Sequence, residues 1–143
     1  MSTFYDCLTA VQTVIQGANL TGLDDDHVII RKLPWVRGAD LPAVIVSPVS
    51  DTWNRTNNEQ IEVGYGCHVV IVQASNQNLT SSHDAFRRWR ELAEDALVDD
   101  KLTSVSEVIN VLIEPSGLIL PQAFRKQYDA SAFVARCIAR EAA

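Results

Sequence analysis

Residues 60–75, QIEVGYGCHVVIVQAS, form the longest stretch of the chain that reads cleanly as one β-strand. Successive strand side chains point to opposite sides of a sheet, so Ile61, Val63, Tyr65, Cys67, Val69 and Ile71 share one apolar face. Glu62, Gly64, Gly66 and His68 share the other, which turns apolar only at Val70 and Val72. The C-terminal half is therefore expected to be covered on both sides, and the N-terminal half to be wet on one. A single strand cannot bury itself. The flanking chain must supply partner strands and at least one helix over the apolar side.

Upstream, Phe4, Leu8, Val11 and Ile15 fall on one helical stripe over residues 4–16, with Cys7 and Val14 beside it. Ser2 or Thr3 is placed to cap this helix and Gly17 to end it. Residues 18–26 read as a polar turn. Its three consecutive acids, Asp24, Asp25 and Asp26, lack the alternate spacing, the turn glycine and the distal Glu of a calcium loop, and read as solvated. Residues 28–31 form a short β-branched strand stopped by Leu33-Pro34-Trp35. After a turn over 38–42, residues 43–47 form an apolar strand that Pro48 is expected to end. Residues 49–59 are polar and read as a loop with Trp53 its only large apolar side chain. Long ordered loops in compact domains are usually functional. Two readings of Trp53 stand, folding back on the core or offering to a partner, and Arg55 nearby favours the second because Trp and Arg dominate interface energetics.

Downstream, Ser81 or Ser82 is positioned to cap a helix running to about residue 98. Phe86, Trp89, Leu92, Ala93, Ala96 and Leu97 form its buried stripe. Arg87 with Glu91 and Arg90 with Glu94 are four-residue pairs on a solvated face. Residues 108–114, VINVLIE, read as a strand, Pro115-Ser116-Gly117 as a turn away from it, and residues 118–120 as an extension of that hairpin before Pro121. Residues 127–140 fit either period. A strand is the better choice, because the sheet needs another partner. The sum is one α+β domain over residues 1–143, with an antiparallel or mixed sheet of about five strands, two helices on one face, and the order α-β-β-β-α-β-β.

Composition bounds the function. The 143 residues fit one domain, and 47% hydrophobic with 21% charged residues is ordinary for a globular chain. No segment has the length of apolar sequence that spans a membrane, and the start, MSTFYDCLTA, lacks a secretory pattern, so the cytoplasm is the default. Cys7, Cys67 and Cys137 are odd in number and set in apolar patterns, which reads as buried reduced thiols. The acceptor-like triplets at Asn19, Asn54 and Asn78 mean little without secretion. A net charge of −6 argues against a protein that grips nucleic acid, yet it suits a conduit through which DNA slides without sticking.

Linear motifs for chemistry are missing. His27, His68 and His83 have no metal-ligand spacing, and Cys67 and His68, adjacent on a strand, point to opposite faces. There is no nucleophile elbow, phosphate-cradling loop or dinucleotide fingerprint. Neither a catalytic residue, a metal nor a cofactor is expected.

The chain resembles the tail terminator, or tail completion, proteins of long-tailed bacteriophages. The likeness rests on the helix over 4–16, the short strand ending in Leu33-Pro34-Trp35, the run Leu41-Pro42-Ala43-Val44-Ile45-Val46 and the polar stretch 50–59. The long strand 60–75, the helix 82–98 and the closing segment 128–141 complete it, so it covers nearly the whole chain as size and element order. Two prolines between residues 110 and 127 depart from it. The resemblance implies a virion structural protein without catalytic residues. Copies form a ring of six that caps the tail tube, ends its polymerisation and joins the tail to the head, with DNA passing through. The implied partners are further copies, the tail tube protein and a head-completion or neck protein; the implied location is the virion, assembled in the host cytoplasm. Trp53, Arg55, Asn57 and Asn58 are then the first interface candidates. Another neck or baseplate component is one competing reading. A small cytosolic enzyme or ligand-binding domain is another, its pocket drawing on Trp35, Tyr65, His68 and Trp89.

Overall fold

The computed structural model describes residues 3–18, 20, 25–31, 42–55, 59–74, 79–98, 108–115 and 128–142. In chain order the elements are α1 (Thr3–Gly17), a single 3-10 turn (Asp25–His27), β1 (Val28–Ile30), β2 (Ala43–Arg55), β3 (Gln60–Ala74), α2 (Leu79–Leu97), β4 (Val108–Pro115) and β5 (Tyr128–Ala142). This is the expected α+β domain, with a five-stranded mixed sheet of order β1-β2-β3-β5-β4. Only β1 runs parallel to its neighbour; β2/β3, β3/β5 and β4/β5 are antiparallel.

The helices share the face of the sheet that carries the odd-numbered residues of β3. Cys7, Leu8, Val11 and Ile15 of α1 and Trp89, Ala93 and Leu97 of α2 pack in one core with Val44, Val46, Cys67, Val69, Ile71 and Phe133. Helix α1 lies over β1, β2 and β3, and α2 over β3, β4 and β5. Ile45, Val70, Val72, Ala130 and Ala132 make a smaller buried cluster on the opposite face. The first short strand is tied to α1 by Gln12, whose Nε2 donates to the Val28 carbonyl at 2.7 Å. All three cysteines are buried free thiols, as their settings in the sequence imply. Hydrogen bonding to Cys137 and burial push the Cys7 thiol above its ordinary range, so it stays protonated.

Three expectations need correcting. Strand β2 does not stop at Pro48 but runs to Arg55, and Pro48 lies opposite Cys67 within the ladder. Strand β1 covers only Val44 to Val46, and the Val46 carbonyl faces outward to the Arg31 N–H at 3.0 Å. Pro48, two residues on, shares that outward orientation, where no N–H is required. Polar residues 50–55 are consequently strand rather than loop. Residues 50–53 are exposed on a stretch of β2 beyond its pairing with β1, and apolar β3 supplies the pairing on the other side. Helix α2 also begins at Leu79, so Ser81 and Ser82 lie inside it instead of capping it. The third correction is on β3: the supposedly wet Gly64 and Gly66 are buried.

Candidate assembly surface

Fifteen-residue β3 and β5 extend about 50 Å at about 3.3 Å per residue, whereas α1 and α2 reach about 22 and 28 Å at 1.5 Å per residue. The antiparallel ribbon β2-β3-β5 therefore outruns its helical cover. The pairing Gln60↔Ala142 and Arg55↔Ile61 places the end of β5 beside the start of β3, which in turn lies beside the end of β2.

Trp53 stands on this ribbon. It is 68% exposed, the most exposed large hydrophobic side chain among the described residues. Its indole N–H donates to Asp51 Oδ2 at 2.8 Å, so the ring is held beside a carboxylate on the same strand. Arg55 pairs through its backbone with Ile61, while Asn57 and Asn58 lie outside the described residues. The placement of Trp53 depends on a bulge. Val49 faces Gly66 and Thr52 faces Gly64, so Ser50 and Asp51 together oppose the single residue Tyr65. The extra residue shifts the side-chain alternation, and Trp53 comes to share the helix-side face with Val63.

Two sets of contacts back the bulge. On the helix side, the rings of Phe4 and Tyr65 stack tilted with centroids 5.0 Å apart, and the Tyr65 hydroxyl donates to Glu141 Oε1 at 2.5 Å. Burial, then the bond to Glu141, raises the pKa of that phenol. On the other side, Arg136 lies across the sheet. Its Nε and Nη2 donate to the two Glu114 carboxylate oxygens at 2.7 and 3.1 Å, and its Nη1 donates to the Ser50 carbonyl at 2.8 Å and the Gly64 carbonyl at 3.2 Å. One side chain thus links β4, β5, β3 and the bulge of β2.

The two glycines make room for it. A Cβ on Gly64 would sit 2.7 Å from Arg136 Cδ and 2.5 Å from Thr52 Oγ1; one on Gly66 would sit 2.5 Å from Val49 Cγ2 and 2.9 Å from the Ser50 carbonyl oxygen. Arg136 was not among the residues expected to matter. The legible signal was Gly-x-Gly inside a strand, which marks a close approach by another group.

The residues of the competing pocket do not converge. Tyr65 and Trp89 belong to the helix-side layer, whereas His68 faces the opposite way, across from Ser47 and Val134. Trp35 lies outside the described residues. Burial lowers the pKa of His68. Among the described residues no group of three or more His, Cys, Asp or Glu is placed to hold a metal ion, and no helix is long and apolar enough to cross a membrane. A second exposed apolar site occurs at the far edge of the sheet, where Ile109 and Leu112 of β4 are 37% and 46% exposed. No protein-family model and no curated protein matches the chain.

Proposed function

We propose that this chain is a virion structural protein of the tail terminator type. In this reading copies of it form a ring, most simply of six, on the open end of a phage tail tube. The ring stops tube growth and presents the docking surface for the head or neck, while DNA passes through without specific binding. The element order and size fit the resemblance stated above. The single observation that carries the proposal is Trp53. A ring of that size left in water forgoes about 3–4 kcal/mol that burial against a partner would return, at about 25 cal/mol per Å² of apolar surface. A tryptophan held by its own neighbour, on a ribbon that outruns the core, is a hot-spot residue awaiting a partner.

Two surfaces on either side of the central strands, one with Trp53 on β2 and one with Ile109 and Leu112 on β4, also suit head-to-tail association, which closes into a ring when the rotation per subunit allows. The test is electron microscopy of particles assembled without this protein. Overlong tails lacking heads are expected, and tails of normal length would reject the termination role. Substituting Trp53→Ala leaves the melting temperature unchanged, because the ring is exposed, but weakens assembly at least tenfold in sedimentation velocity.

A further inference from the structure

The bulge at Ser50 and Asp51 sets the register of this end of β2. Without it, Ser50 would face Tyr65, Asp51 would face Gly64 and Thr52 would face Val63. Trp53 would then fall opposite Glu62 and switch to the other face of the sheet, since a slip of one residue inverts every side chain. What holds the observed register is local. A bulge takes backbone groups out of the ladder, and the Ser50 carbonyl receives Nη1 of Arg136 instead. The same nitrogen bonds the Gly64 carbonyl, opposite Thr52, where regular pairing resumes.

The guanidinium can reach both carbonyls because its remaining nitrogens are fixed by the forked pair to Glu114. The Arg136 side chain is 11% exposed and the Glu114 side chain 47% exposed, so the pair has one sheltered end and one end at the surface of the outer strand β4. Lysine has the charge but no fork, and it cannot serve a carboxylate and two carbonyls in this plane.

We infer that Arg136 is the positioning residue of the Trp53 surface: anchored on Glu114, it pins the Ser50 carbonyl and with it the bulge that turns Trp53 to the helix-side face. This rests on Trp53 being the docking residue, and the experiment separates the two. Backbone NMR relaxation and cross-strand proton contacts are measured on wild type, Arg136→Lys and Glu114→Ala, with self-association of each followed by sedimentation velocity. In Arg136→Lys the Trp53 amide order parameter is expected to fall from about 0.85 to below about 0.6, the contact between Trp53 and Val63 to disappear, and assembly to weaken about tenfold. Glu114→Ala, altered only at a half-exposed position, is expected to move the same signals and decides the matter if Arg136→Lys fails to fold. An ordered Trp53 still touching Val63 in the folded variants overturns the inference. Loss of order in these variants, together with Trp53→Ala assembling normally, leaves Arg136 as the positioning residue and removes Trp53 as the docking one.

Discussion

Glu114 and His68 connect the sheet to pH by different routes with the same sign. The bond from Arg136 holds the Glu114 carboxyl below its ordinary 4.5, against the opposing effect of burial. A depressed folded pKa means the unfolded chain binds the proton more readily, so this stabilisation is present above about pH 4.5 and is lost as pH falls through the lower folded value. Burial alone lowers His68 from 6.5, so its contribution is present above that value and is lost on acidification through a folded pKa below it. Melting temperature against pH is therefore expected to decline in two stages, the first beginning near pH 6.5 and the second below pH 4.5. His68→Asn removes the first stage and Glu114→Gln flattens the second. Loss of neither stage in these variants would mean that other groups dominate the acid limb.

Among the elements, α2 shows how one spacing yields two different interactions. Arg87 to Glu91 at 3.0 Å joins side chains 65% and 59% exposed, whereas Arg90 to Glu94 at 2.7 Å joins side chains 11% and 28% exposed. Arg90 also reaches the Oγ of Ser131, a fully buried residue of β5, at 3.4 Å. The exposed pair contributes at most about 0.5 kcal/mol. Removing Arg90 takes the guanidinium from the sheltered Glu94 carboxylate, and a hydrogen bond to a charged group in such a setting is worth about 1–3 kcal/mol. Urea unfolding should thus find Arg90→Ala several times more destabilising than Arg87→Ala; equal effects would show that Arg90 is screened as fully as its neighbour. The i,i+4 pairs were legible because the helical period is local, but the depth of Arg90 depends on where β5 lies beneath α2. The same distinction runs through the fold. The element order, the length of β3 and the strand character of β5 followed from alternation and from the sheet's need for a partner. The extension of β2 past Pro48 did not, because the proline nitrogen points to the β1 side, where the described pairing stops at Val46, a fact of sheet order. Trp53 stood out in the sequence as a lone aromatic among polar residues. Its backing by Arg136, some 80 residues away, left only the Gly-x-Gly trace.

For the whole molecule the deciding quantity is charge. Each chain carries −6, so gathering copies edge to edge brings like charges within reach of one another. The screening length is about 10 Å at 0.1 M salt and about 3 Å at 1 M, so added salt weakens this repulsion. The contacts proposed to hold copies together, Trp53 on β2 and Ile109 with Leu112 on β4, are apolar and little affected by screening. Self-association is therefore expected to strengthen with ionic strength, its midpoint moving to about tenfold lower protein concentration between 0.05 and 0.5 M sodium chloride. Binding of such an acidic ring to a basic partner surface responds in the opposite direction, so the salt dependence separates contacts among copies from contacts with a charged partner. Sedimentation velocity across that range reads the sign directly. Association that weakens as salt rises would assign the contact between copies to ion pairs, and the apolar surfaces would then have to face something other than another copy of this chain.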